Sequence, residues 1–190
     1  MDAGAEVLET NTFGAHRFKL GPHGFESQVV KINREGARLA CEAAQGRALV
    51  AGSIGPLGKP LEPYGHITFE EAVSAYREQV EGLLEGGVHL FMAETLPALD
   101  QARAAVTAIK DLSDLPIVVS STFTEEGTTF YGDRPEDLVR AGEEWGVAVV
   151  GANCSQGPQP MLETVQRMAA VAQTVKVSAM PNAGAPAMVD

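Results

Sequence analysis

At 190 residues, with 45% hydrophobic and 6% aromatic side chains, the chain has the length of one domain and enough apolar residues to bury a substantial core. Its formal net charge of -11, from 14 Lys and Arg against 25 Asp and Glu, argues against a nucleic-acid backbone or an anionic lipid surface as partner. No apolar run approaches the roughly 20 residues of a membrane span, and residues 1–6 lack the basic and apolar regions of a signal peptide, so the sequence reads as cytoplasmic, with no nucleic acid and no membrane as partner.

Short apolar runs alternate with amphipathic stretches along the whole chain. A first strand is predicted over residues 6–10, with Glu9 at its end, and a helix over 26–44 in which Cys41 falls among Ile32, Leu39, Ala40 and Ala43 and reads as packing. The strand over 48–53 runs into the loop Gly52-Ser53-Ile54-Gly55-Pro56-Leu57-Gly58. That loop is glycine-rich, but it lacks the Lys-Ser/Thr of a P-loop and any G-x-G-x-x-G spacing, which argues against a nucleotide. The helix over 69–84 puts Val73, Tyr76, Val80, Leu83 and Leu84 on one face; Thr68 and Glu71 form a capping-box pattern and Gly86-Gly87 stops it. A strand over 88–94 ends on Glu94, and a helix over 98–110 leads to a strand over 116–122. The next helix, 135–145, has Pro135 at its first turn and Gly146 past its end. The strand over 147–153 delivers Asn153 and Cys154 to its C-terminal end, before a helix over 161–172 and a last strand over 175–179.

The alternation makes residues 1–190 one α/β domain of successive βα units with a parallel sheet. A doubly wound open sheet and a (β/α)8 barrel both fit that pattern. Polar residues separate them: Glu9-Thr10-Asn11, Ser53, Glu94-Thr95, Thr122, Asn153-Cys154 and Pro181-Asn182 follow the C-terminal ends of successive strands. A barrel gathers side chains from every strand end onto one face, whereas an open sheet uses one switch point, so the barrel is favoured. Six strands fall short of the eight a barrel needs. The expectation is an incomplete (β/α)8 barrel with about strands 2 to 7, with Glu9, Glu94 and Cys154 at one opening and with unpaired edges that make the isolated chain association-prone.

Cys154 is a candidate thiolate, as nucleophile or metal ligand, weighed against the ordinary reading of a small buried core residue. Glu9 and Glu94, at the ends of apolar strands, suit a substrate ammonium or acid/base work if partly buried, and solvent if not. The histidines make no metal pattern: His16, His23 and His66 sit in segments where surface positions are the default, and His89, inside a strand, reads as packing. Cys154 is therefore the one thiolate available to a zinc site here, too few for a closed one. No lysine lies at a predicted strand end, which argues against the Schiff-base chemistry of a barrel lyase or aldolase.

The runs Glu9-Thr10-Asn11-Thr12-Phe13-Gly14-Ala15, Ala51-Gly52-Ser53-Ile54-Gly55-Pro56, Ala93-Glu94-Thr95, Gly151-Ala152-Asn153-Cys154 and Pro181-Asn182-Ala183-Gly184 occur in the same order in the homocysteine S-methyltransferase family, which the chain resembles over essentially its whole length. The segments from Gly151 to Pro160 and from Ser178 to Pro186 are most similar to the homocysteine-binding domains of cobalamin-dependent methionine synthase and of the bifunctional homocysteine methyltransferase/methylenetetrahydrofolate reductase. The resemblance implies zinc-dependent transfer of a methyl group to the thiol of homocysteine, giving methionine. It makes Cys154 one of three thiolate ligands to Zn2+ and places Glu94 on the amino group of homocysteine, with Asn153 and Glu9 shaping the pocket. The implied partners are homocysteine, a methyl donor and a fused reductase or cobalamin/folate domain.

Two family motifs have no counterpart in these residues. The Asp-Gly-x-x-Gly-Thr motif of the family's first strand and the Gly-Gly-Cys-Cys motif that gives the other two zinc ligands are not in the sequence. The alternative reading is therefore a non-catalytic barrel segment lacking two of the three zinc ligands.

Overall fold

A computed structural model describes residues 3–155 and 157–183. Six strands alternate with helices: β1 (Val7–Glu9), α1 (Arg17–Leu20), α2 (Val29–Ala44), β2 (Leu49–Ile54), α3 (Phe69–Glu85), β3 (Leu90–Leu96), α4 (Leu99–Lys110), β4 (Ile117–Ser121), α5 (Pro135–Trp145), β5 (Val149–Asn153), α6 (Pro158–Val171) and β6 (Lys176–Met180). The strands form one sheet in the order β1-β2-β3-β4-β5-β6, and the pairs β1–β2, β2–β3, β4–β5 and β5–β6 are parallel. That order never reverses. A doubly wound sheet reverses at its switch point, so this is the strand sequence of part of a (β/α)8 barrel, as expected. No helix among the described residues is long and apolar enough to cross a membrane.

The predicted elements form with shifts at their ends. β3 runs two residues beyond Glu94, placing that carboxylate inside the strand, and α6 starts at Pro158, three residues early. The expected start of a long helix at residue 26 is instead a single 3-10 turn, preceded by the short α1 and a second 3-10 turn, and Gln28, at φ -111° and ψ 8°, separates that turn from α2.

The chain divides into two compact units, the first comprising Met1–Glu94 and Asp100–Ile117, the second Thr95–Leu99 and Val118–Asp190. In the first, Val73, Tyr76, Val80 and Leu83 of α3 are buried as their spacing predicts, with Val50, Ile54 and Phe91 of the sheet. Leu84 is half-buried. Thr68 and Glu71 make the capping box. The α2–α3 contact is backbone-close: a Cβ on Gly82 would lie 2.3 Å from the Val30 carbonyl oxygen, and one on Gly86 2.4 Å from the Ala37 Cβ. Cys41 packs there, half-buried, its Sγ donating to the Gly86 and Gly87 carbonyls, and burial pushes its thiol pKa up.

In the second unit, a Cβ on Gly142 of α5 would meet the Val150 Cγ1 at 2.3 Å, so Val150 faces the helices and its neighbours Gly151 and Asn153, by strand alternation, present the other face with Asn153 two residues on. Gly151 is paired in register with Ser120 and Ser178. A Cβ there would stand 2.1 Å from the Ser178 Oγ and 2.8 Å from its carbonyl oxygen, so only glycine lets β6 lie against β5 at this level. Outside the sheet, Arg167 of α6 forks onto Glu136 of α5 with two bonds of 2.8 Å, and Glu143 accepts from the Gln173 and Thr174 amides at the entry to β6.

Candidate functional site

In the first unit the strand ends carry a carboxylate pair on a buried hydroxyl scaffold. The Ser53 amide donates to the Thr10 Oγ1 at 2.9 Å, and the Ser53 carbonyl accepts from the Thr12 Oγ1 at 2.8 Å. Thr10 and Thr12 share a 2.6 Å bond, and the fully buried Gln79 of α3 donates to the Thr12 carbonyl at 2.6 Å. Ser53, so fixed, points its Oγ at Glu94 and donates to its carboxylate at 2.6 Å. Glu9 meets the same group. Loss of hydration raises its carboxyl pKa, and the Glu94 charge and a hydrogen bond between the two carboxyls raise it further. Glu9 is exposed as a residue, so this loss of water belongs to the carboxyl end beside Glu94. Two carboxyls so placed suit a cation such as an ammonium group.

The histidines depart from expectation at two positions. His16, expected at the surface, is completely buried: one ring nitrogen lies 3.1 Å from the Pro56 carbonyl oxygen, and Nδ1 has no partner. Burial lowers its pKa to about 4, against the opposing effect of the Pro56 bond and with a small push from Lys19. The chain after β1 folds His16 under the loop that follows β2, a long-range contact that no local pattern announces. His89, expected to pack within a strand, lies just before β3 and is exposed; its Nδ1 accepts from the Val50 amide at 2.9 Å, extending the β2–β3 ladder by a side chain. His23 and His66 are exposed as expected.

The end of β5 in the second unit is built on strained backbone. Thr95, Cys154 and Ser155 all have left-handed φ, 58°, 58° and 51°. A β-branched residue there is an outlier, and each such residue costs on the order of 1–3 kcal/mol. The surroundings hold the turn on three sides. Asn153, almost fully buried, accepts from the Thr95 amide at 3.0 Å and donates to the Thr95 Oγ1 at 2.7 Å and to the Cys154 Sγ at 3.4 Å. The Cys154 amide donates to the Met180 carbonyl of β6 at 3.1 Å, and the Ser155 hydroxyl to the Phe123 carbonyl after β4 at 2.8 Å. The Cys154 thiol, half-buried, lies 3.7 Å from the Thr95 Oγ1. Thr95 and Ser53 were not candidates by sequence, because a Ser or Thr after a strand reads the same whether it is structural or functional. Gln156 and residues 184–186 of the family-like segments lie outside the described residues.

Cys154 is one plausible metal donor by chemistry. Among the described residues no group of three or more His, Cys, Asp and Glu comes together that could hold a metal ion, so these residues alone do not make a zinc site.

A sequentially ordered parallel βα sheet with polar and acidic side chains at its C-terminal strand ends defines the chain as part of a (β/α)8-barrel domain. The homocysteine S-methyltransferase family profile matches residues 1–190, and the chain belongs to that family. It is 32% identical over 198 residues to methionine synthase of Mycobacterium leprae (strain TN) and 31% identical to methionine synthase of Mycobacterium tuberculosis (strain ATCC 25618 / H37Rv). Each match covers 98% of this chain but spans 16% of the length of the relative. Among solved structures it is similar to the metallated form of the homocysteine methyltransferase MmuM from Escherichia coli, with a TM-score of 0.85 and 23% identity, over 96% of this chain and 69% of that one, a likeness of fold.

Proposed function

We propose that the whole protein transfers a methyl group to the thiol sulfur of homocysteine, giving methionine, in a zinc-dependent reaction in the cytoplasm, and that this chain supplies part of the substrate and metal machinery. The observation that carries the reading is the family match over residues 1–190; within the first unit the carboxylate pair Glu9 and Glu94 suits an ammonium group, and within the second Cys154 stands on strained backbone at a strand end.

In this reading Glu94, oriented by Ser53, takes the substrate ammonium, with Glu9 sharing the charge. The sulfur loses its proton and forms a bond to the methyl carbon as the bond from that carbon to the donor breaks. Cys154 contributes one thiolate to the zinc, and its other ligands come from outside the described residues. Methylfolate acting through cobalamin, S-adenosylmethionine, S-methylmethionine and betaine are the candidate donors, with a fused reductase or cobalamin/folate domain as partner.

The test is methionine formation from homocysteine by the intact protein with each donor in turn. Cys154→Ser is expected to abolish turnover and lower bound zinc, and Glu94→Gln to raise KM for homocysteine at least tenfold. Full turnover by Cys154→Ser overturns the reading. A second reading, in which the 190-residue chain alone is inactive and holds little zinc, is favoured by the missing ligand cluster among the described residues; stoichiometric zinc after gel filtration would overturn that one.

A further inference from the structure

We propose that Thr95 and Asn153 are positioning residues that hold the Cys154 thiol in a single orientation, and that the left-handed backbone at Thr95 exists to serve that contact. The proposal rests on the reading of Cys154 as a working thiol but is tested without the reaction.

The hydrogen-bond inventory carries it. An asparagine amide has two N–H donors and one carbonyl acceptor. Asn153 spends one N–H on the Thr95 Oγ1, the other on the Cys154 Sγ, and its carbonyl on the Thr95 amide. Because the Thr95 oxygen already accepts from Asn153, its own proton is free to point to the Cys154 Sγ, 3.7 Å away. The Asn153 amide and the Thr95 hydroxyl therefore meet at one sulfur. With both N–H groups in use and 2% exposure, Asn153 has no donor left for a ligand, which places its contribution one step behind the cysteine.

The backbone supports the same conclusion. At φ 58°, Thr95 sits where glycine or asparagine would be at ease and a β-branched side chain is not. If residue 95 served only to carry the backbone of β3 through this left-handed point, glycine would do it without strain. Threonine supplies a hydroxyl at this point, and the hydroxyl's partners are the amide and the sulfur. Cys41, the other cysteine, provides the contrast: its Sγ donates to two backbone carbonyls, those of Gly86 and Gly87, from an α-helical setting.

Selective 13Cβ labelling of cysteine gives the full chain two cysteine signals, which Cys41→Ser assigns, and the Hα–Hβ couplings report the χ1 angle of each. In the wild type Cys154 is expected in one rotamer. Thr95→Gly removes the hydroxyl and the strain together, so the melting temperature should hold or rise while the Cys154 couplings average over rotamers and its alkylation by iodoacetamide, relative to Cys41, changes at least threefold. Thr95→Ser, which keeps the hydroxyl, should retain the single rotamer and stay within twofold of wild type. A purely structural role predicts no change at Cys154 in Thr95→Gly, and a single rotamer with an unchanged alkylation ratio in that variant overturns the proposal. If Thr95→Gly fails to fold, Thr95→Ala, which also lacks the hydroxyl, is read in the same way at Cys154. Loss of methyl transfer with these signals intact would count against the proposed function and leave this assignment standing.

Discussion

At the end of β2, Ser53 is fixed by a hydrogen bond to Thr10, one from Thr12 and, through Thr12, one from Gln79, and none of these residues has a left-handed φ. At the end of β5, Cys154 is fixed on a backbone bent into the left-handed region at both Cys154 and Ser155, anchored to the equally strained Thr95. The first arrangement presents a functional group from relaxed backbone through a chain of side chains, each replaceable at modest cost. The second stores strain that only several simultaneous contacts can sustain, so losing one contact releases the others.

The difference can be pressed from several sides. The largest effect belongs to the side-chain scaffold of the first unit through pH. His16 has a folded pKa of about 4 against an ordinary value of 6.5. Its neutral form is favoured in the fold, so its contribution is complete above about pH 6.5 and is lost as pH falls to about 4, roughly 3 kcal/mol in all. Urea midpoints between pH 7 and pH 4.5 should drop steeply in the wild type and less so in His16→Asn; equal slopes would mean that His16 is solvated. Next, Asn153→Ala should cost about 2–3 kcal/mol by urea titration, because it leaves the half-buried Thr95 amide without its partner, opens a gap where the buried Asn153 side chain was and frees the strained turn. Ser53→Ala should cost only about 1 kcal/mol, since the backbone bonds of Ser53 to Thr10 and Thr12 survive the loss of its hydroxyl. Equal losses in those two variants would erase the distinction between relaxed and strained support.

The smallest effect concerns Glu9. Its folded pKa is raised, so the protonated form is favoured in the fold and the ionised form costs stability once pH rises past the ordinary carboxyl range. Glu9→Gln should therefore raise the stability measured by urea titration at pH 7 by about a few tenths of a kcal/mol, given its exposure, and leave it unchanged near pH 3. A lower midpoint at pH 7 would mean that the Glu9 charge is compensated rather than repelled.

Sequence periodicity revealed all six strands and the five longer helices because buried parallel strands read as apolar runs and the capping residues Thr68, Pro135 and Gly146 mark helix ends directly. The positions of Glu9, Glu94, Asn153 and Cys154 near strand ends were legible for the same reason. What was hidden is tertiary. The buried His16 depends on a loop 40 residues away in sequence. The left-handed Thr95 runs against its own local preference, which is overruled by the Asn153 amide. The extension of β3 past Glu94 had no signal either, since Thr95-Leu96 reads equally well as a loop start.

The glycines of α3 that bring α2 within backbone distance have a dynamic consequence. Where a side chain at Gly82 would stand 2.3 Å from the Val30 carbonyl, the glycine sets its own C–H groups against that oxygen, a weak contact repeated in kind at Gly86 beside the Arg34 carbonyl. Helices joined through their main chains cannot separate by rotamer changes at the seam. α2 and α3 should therefore open as a single foldon, their amide protons exchanging with solvent at one shared free energy rather than helix by helix.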